Sequence, residues 1–213
     1  MLTVEEARER ILAQMRPLAS EPVSLIEALG RVVAHDVIAQ ESVPPFANSA
    51  MDGYAIRAAD TQTASEASPV SLRLMGEVPA GRLYVGEVGA GEVVRILTGA
   101  AVPAGADAVI QQELVAVADG IVTLTAPVAP GANIRPAGGD VRPGVLLTRA
   151  GTELGPSEIA LLAAVGVHPV AVTRRPKVAL LTTGDELAPL GTTPQPGQIH
   201  ESNMPYLIAA IHR

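Results

Sequence analysis

The sequence predicts an α+β multidomain protein: a mixed helix/strand N-terminal domain with an inserted β-rich domain, followed by the start of a parallel-sheet α/β domain. Three observations carry this. Helical spacing and capping signals flank a middle stretch, residues 44–140, in which short β-branched runs alternate with Gly and Pro. Inside that stretch, ELVAVADGIVTLTA at 113–126 places Asp119-Gly120 between two β-branched runs, the signature of a hairpin with a type I′ turn. From Arg174 the style changes again: KVALL is apolar on both faces, as a strand covered by helices is, and it runs into a Gly-centred turn. The expected boundaries are 1–43 together with 141–173, then 44–140 as the insertion, then 174–213.

Each element has a local reason. Thr3 and Glu6 form a capping box, and Val4, Ala7, Ile11, Met15 and Leu18 follow at helical spacing until Pro17 limits the run. Ser24 and Glu27 repeat the box over a short helix that Gly30 closes, and RVVAHDVIA at 31–39 reads as a strand. Strands are expected for VSLRLMGEV, EVVRI and ADAVIQQEL. Pro44-Pro45 excludes a helix or central strand at the entrance to the insertion, and Asn48, Ser49 and Asp52-Gly53 give that segment turn chemistry. Gly155-Pro156-Ser157-Glu158 starts a helix that ends at Gly166, VHPVAV follows as a strand, and SNMPYLIAAIHR is a final helix. One strand and one helix do not complete a parallel sheet, so the C-terminus reads as an unfinished domain.

Composition narrows the function. With 48% hydrophobic and 17% charged residues the chain folds, and with 2% aromatics its core is aliphatic. The absence of Cys excludes disulfides and thiolate metal sites, and His35, His168, His200 and His212 lack ligand spacing. A net charge of −7 without a basic patch argues against nucleic acid. The N-terminus is acidic where a signal peptide is basic, and the run at 159–167 is far too short for a membrane span. A soluble cytoplasmic protein with a small-molecule ligand is the expectation.

Asp52, Asp140, Asp185 and Glu186 lie beside Gly in loop-like contexts, where carboxylates can hold a hard cation against phosphate oxygens. A plain turn explains each acid taken alone. The loop LTTGDEL is better placed, because loops at the carboxyl ends of parallel strands line ligand crevices and Gly184 permits close backbone approach. Arg135 can fork onto an anionic group, and Thr98 offers a hydroxyl at a strand end; a surface Arg and a Thr-Gly turn are the simpler readings of each.

Taken together and in order, PPFANSAMDGYAIRAAD, RILTGAAVPAGADAVIQQE, NIRPAGGDVRPGVLLTRAGTELGPSEIALLAAVGV and PKVALLTTGDEL resemble the molybdopterin molybdenumtransferases, the MoeA and gephyrin E-domain family. The resemblance covers nearly the whole chain, and SAMDGYA and TGDEL in this order make it specific. It implies molybdenum cofactor synthesis: molybdate is inserted into adenylylated molybdopterin, with Mg²⁺-dependent release of AMP. It implies an elongated homodimer in which 1–43 with 141–173 is the dimerisation domain and 174–213 begins a molybdopterin-binding domain. A molybdopterin adenylyltransferase is an implied partner.

Carried over by motif, the catalytic residues are Asp52, Thr98, Asp140 and Glu186. The substrate-binding residues are Asn48, Ser49, Arg135, Gly184, Asp185, Ser202 and Asn203. Asp52, Asp140 and Glu186 share the metal role, and the sequence does not choose among them. Two positions depart from the family pattern: Gly139 stands where Glu is frequent, and His200-Glu201 where Tyr-Asp is common. The chain is expected to be the N-terminal part of a longer enzyme and inactive alone. Two other readings compete, a non-catalytic dimerisation or scaffold module of the same family and an unrelated Mg²⁺-dependent phosphate-ester hydrolase.

Overall fold

A computed structural model describes residues 2–212. In chain order the elements are α1 (Val4–Gln14), β1 (Ser20–Val23), β2 (Val37–Ile38), β3 (Asn48–Ser49), β4 (Gly53–Ile56), β5 (Val70–Val78), β6 (Glu92–Ile96) and β7 (Ala108–Gln111). Then come β8 (Val115–Ala118), β9 (Ile121–Leu124), β10 (Ile134–Arg135), β11 (Leu146–Thr148), α2 (Pro156–Ala164), β12 (Val170–Thr173), β13 (Leu187–Ala188), β14 (Ile199–His200) and α3 (Asn203–Ile211). The chain divides into two units, Ser20–Thr173 and the remainder.

Within Ser20–Thr173 a curled six-stranded sheet runs in the order β7-β4-β6-β5-β9-β8, antiparallel except for the β5/β6 pair. The β8/β9 hairpin turns at Asp119 (φ 50°) and Gly120 (φ 74°), the two positive values that a type I′ turn requires. Both faces of the sheet are covered. Tyr54, Ile56, Leu72, Val93 and Ile110 pack on one side, and Ala55, Val78, Val94, Ile96 and Val109 on the other. Strand alternation would put Leu72 and Val78 on the same face. A bulge between Leu74 and Gly76 shifts the register by one, so β5 serves both cores.

Of the six strands of this sheet, β4 is the one the sequence does not announce. The stretch around Asp52 reads as turn chemistry, yet GYAI is buried throughout and pairs on both sides, with β6 and with β7. ADAVIQQEL is a strand only as far as Gln111, where a 3₁₀ turn takes over.

A separate core joins the two flanks of this sheet. Leu25, Ala28 and Val33 pack with Leu154, Leu162, Val170 and Val172, and β1 pairs with β12. Here two expectations are corrected. Ser24 and Glu27 make their reciprocal bonds, Ser24 Oγ to Glu27 Oε2 at 2.6 Å and Glu27 N to Ser24 Oγ at 3.3 Å, but the residues up to Gly30 form turns rather than a helix. The run is too short to offset helix nucleation, and its value lies in burying Leu25 and Ala28. The segment 31–39 is not one strand either. Val32 and Val33 bridge to Glu153 and Val172, the chain bends, and β2 pairs with β11. The Asp36 carboxylate, accepting from Ala150 N at 2.8 Å, holds the bend.

In the other unit, α1 begins with the expected capping box, Glu6 N to Thr3 Oγ1 at 3.2 Å and Thr3 N to Glu6 Oε2 at 2.9 Å. It buries none of its residues. KVALL forms no strand: a ladder needs a neighbour, none lies alongside among the described residues, and Leu181 is left 89% exposed. A two-residue parallel pair, β13 with β14, precedes α3.

Candidate functional site

The segment 43–54 organises the polar residues of Ser20–Thr173. It starts from Pro44-Pro45, which cannot be drawn into a regular ladder. Its backbone is then stitched to three other stretches in turn. Val43 O and Pro44 O accept from Asp140 N and Gly138 N, both at 2.9 Å. Asn48 and Ser49 pair with Arg135 and Ile134 as β3/β10, and Ala50 N donates to Asn133 O at 2.9 Å. Ala47 O, Ser49 N and Ser49 O bond to Val102, Ala100 and Gly99. Finally Asp52 O accepts from Gln112 N at 3.1 Å.

Two acid pairs hang from this frame. Asp52 Oδ1 accepts twice from Thr98, from the hydroxyl at 2.6 Å and the amide at 2.7 Å. These bonds, the hydroxyl first, hold the Asp52 carboxyl below the usual carboxylate range; burial opposes them slightly and Arg95 adds a favourable charge. Asp140 Oδ2 accepts from Arg135 Nη2 at 2.6 Å, an ion pair with both side chains about half exposed. Each carboxylate keeps its second oxygen clear of bonds from the described residues. Arg135 is in register with Asn48, four residues before Asp52, and Asp140 N is bonded to Val43 O, so both pairs are held by the one segment 43–54.

Asn48 and Ser49, expected to touch substrate, are buried. Ser49 Oγ donates to Met51 O at 2.6 Å and shapes the turn into Asp52. Gly53 reads from the sequence as part of a turn, but its role is spatial. A Cβ there would fall on the carbonyl oxygen of Ile110, so β7 approaches β4 too closely for any side chain.

The remaining candidates belong to the other unit. Gly184 has φ 153°, and Leu187 N donates to its carbonyl at 3.1 Å. The Glu186 carboxylate folds back over Gly184, so that a Cβ on Gly184 would lie 2.6 Å from Glu186 Oε2. Ser202 is the N-cap of α3 without a side-chain bond, and Asn203 N donates to Glu201 Oε1 at 2.6 Å. Glu201 also accepts from Met204 N at 3.1 Å, and that amide above all lowers its pKa. Glu201 thus caps the helix, a role signalled by an acid just ahead of a helix start. Asp185 makes no side-chain bond among the described residues.

Among the described residues no three His, Asp or Glu side chains gather as a metal site. The free oxygens of Asp52 and Asp140 instead suit a hard cation that takes one or two carboxylates and completes its shell with substrate phosphate and water. In chemical terms the surface can grip an oxyanion-bearing ligand through such a cation and through the unused donors of Arg135.

The profile of the MoeA N-terminal region (domain I and II) matches residues 2–166. The chain belongs to the MoeA family. It is similar to a molybdopterin molybdenumtransferase of Haemophilus influenzae, 41% identical over 205 residues that make up 95% of this chain and 50% of that protein. Molybdopterin molybdenumtransferase 2 of Mycobacterium tuberculosis is 39% identical over 99% of this chain and 52% of its own length. A crystal structure of the molybdopterin biosynthesis MoeA protein from Pyrococcus horikoshii superposes with a TM-score of 0.89 at 42% identity, covering 100% of this chain and 54% of that one. The chain spans about half the length of the MoeA relatives it matches.

In this MoeA chain the departure at Gly139 costs nothing in backbone geometry. Gly138 needs its positive φ of 68°, whereas Gly139 has no such value and a Cβ there would lie 3.2 Å from Pro136 O, a contact a small shift relieves.

Proposed function

We propose that this chain acts in molybdenum cofactor biosynthesis, as the N-terminal part of an enzyme that inserts molybdate into adenylylated molybdopterin and releases AMP with Mg²⁺. The observation that carries the reading is the pair of carboxylates, Asp52 and Asp140, each tethered through one oxygen and both held by the segment 43–54 of a MoeA-family chain. Asp52 and Asp140 would hold the cation, which when bound neutralises the pyrophosphate oxygens and eases departure of the nucleotide, and Glu186 is the candidate metal acid of the other unit. The chain's own residues do the positioning. Thr98 orients Asp52, and Arg135 keeps Asp140 in place while its unused N–H groups face an anionic ligand. In the other unit, Gly184, Asp185, Glu186, Ser202 and Asn203 would meet the pterin part of the substrate, and Asn48 and Ser49 shape the loop on which Asp52 sits.

In this reading 44–140 is an insertion in a dimerisation domain formed by 1–43 and 141–173, and 174–213 opens the molybdopterin-binding domain. The core shared by Leu25, Val33, Leu154 and Leu162 supports the insertion. Cytoplasmic location and an adenylyltransferase partner belong to the same proposal. So does a homodimer, and α1 favours it, exposing Val4, Ile11 and Leu12 with no residue buried. The same observation favours a second reading, a dimerisation module without turnover.

The test is molybdate- and Mg²⁺-dependent AMP release by the full-length protein. Asp52→Ala is expected to lower it about 10- to 100-fold, with stability within about 0.5 kcal/mol of wild type. Wild-type turnover in that variant, or no AMP release by the unaltered full-length protein, refutes the enzyme reading.

A further inference from the structure

We infer that Thr98 is a positioning residue for Asp52, and that its hydroxyl is spent on that carboxylate rather than on substrate; the inference rests on the site proposed above. Both donors of Thr98, hydroxyl and amide, converge on the same oxygen, Asp52 Oδ1, at 2.6 and 2.7 Å. A hydroxyl has a single hydrogen to give. While it points at Asp52, the residue has no proton left for an oxyanion.

The geometry fixes more than distance. Two donors on Oδ1, one from rigid backbone and one from a side chain, set the plane of the carboxylate and leave Oδ2 as the one outward ligand atom. The backbone donor is itself held in place. Gly99 N donates to Ser49 O at 2.9 Å and Ser49 N to Ala100 O at 3.0 Å, so the loop after β6 and the loop before β4 form one clasp. Asp52 is anchored from the far side as well, its carbonyl accepting from Gln112 N at 3.1 Å. The carboxylate therefore has its backbone, one oxygen and its orientation determined before any ligand arrives. That is what a ligand atom for a demanding hard cation requires. Both side chains are exposed, so the bonds contribute little to the core, and their conspicuous effect is on the aim of Oδ2.

Two substitutions in the full-length protein separate positioning from substrate binding. Thr98→Val keeps the shape and the amide bond but removes the hydroxyl; Thr98→Ser keeps the hydroxyl. Expected is a fall in kcat of about 10- to 100-fold for Thr98→Val with KM for adenylylated molybdopterin changed by less than about threefold, and recovery to within a few-fold of wild type in Thr98→Ser. Mn²⁺ gives a readout independent of turnover: paramagnetic broadening of the Asp52 and Gln112 amide signals in residues 1–213 should need about tenfold more Mn²⁺ in Thr98→Val than in wild type or Thr98→Ser. A loss confined to KM, a Ser variant as poor as Val, or unchanged Mn²⁺ broadening overturns the inference. Asp52→Asn distinguishes the levels of failure. Full activity in Asp52→Asn refutes the site itself, whereas an inactive Asp52→Asn beside a fully active Thr98→Val refutes the positioning role alone.

Discussion

Replacing Gly53 by Ala tests whether the sheet and the Asp52 loop are one structure. Gly53 opens the central strand β4, opposite Ile96 of β6 and Gln111 of β7. A methyl group there would land on the Ile110 carbonyl oxygen, 2.9 Å from the carbonyl carbon and 3.2 Å from Gln111 Cα. All three are backbone atoms inside a ladder, so no rotamer change relieves the contact and β7 must move away. Overpacking of this kind costs about 1–3 kcal/mol. Separation also weakens the Gln112 N to Asp52 O bond, which adds about 1 kcal/mol, and the reduced freedom of the unfolded chain returns about 0.4–1 kcal/mol. The net expectation is a loss of about 1–3.6 kcal/mol, or about 2–14 °C in Tm for a chain of this size. Urea and thermal unfolding followed by circular dichroism measure it directly. The variant should also lose AMP release in the full-length protein beyond what its folded fraction explains, because Asp52 is its immediate neighbour. A Tm within about 1 °C of wild type would show that β7 has no need of a glycine opposite it, and would refute the close-approach argument.

Leu162, fully buried in the core that joins the two flanks, should cost about 2–5 kcal/mol when replaced by Ala, and a loss under about 1 kcal/mol in urea titrations would deny that core its importance. The Glu92 carboxyl is held low first by the Gly89 amide and then by Arg73, so its folded pKa lies beneath the unfolded value of about 4.3. Its stabilisation is complete above that value and lost as pH falls through the folded pKa; Glu92→Gln should therefore be less stable than wild type near pH 6 and converge with it in acid, and parallel pH profiles would contradict this. Residues 1–213 alone should release no AMP in response to molybdate, since the only parallel pairing after Arg174 among the described residues is the short β13/β14 contact. Stoichiometric release would show that this chain holds the whole site.

Local chemistry made much of this fold legible. The Thr3/Glu6 box, the Asp119-Gly120 hairpin and the Pro156 helix start are each written within a few adjacent residues, and each formed. What failed depended on partners distant in sequence. KVALL has the composition of a buried strand, but a strand exists only beside another. Ser24–Glu27 satisfies its capping bonds in a turn, because those bonds do not require a helix to follow. GYAI went unread since Asp52-Gly53 is spelled like a turn, and only the approach of Ile110 reveals that the glycine serves packing instead. At the site, the sequence points to Asp52, Thr98, Arg135 and Asp140 only as separate groups. Their division into Asp52 with Thr98 and Asp140 with Arg135 is a tertiary fact, as is the contribution of Arg95.

The stitching of residues 43–54 to three other stretches makes that segment a ruler. Its length sets the spacing between the surface around Val43, where Asp140 is anchored, and the clasp at Ser49 that delivers Asp52. One residue added between Ser49 and Asp52 would leave Arg135 and Asp140 where they are and slide Asp52 out of reach of both Thr98 donors. The tip at Asp119-Gly120, an exposed hairpin end at the rim of the sheet, is bonded to β5 by Leu74 N to Gly120 O at 2.8 Å but sets the spacing of no candidate site residue. Insertions and deletions in this domain should therefore be admitted at the hairpin tip and rejected from the twelve positions of the ruler, even where every side chain in it is kept.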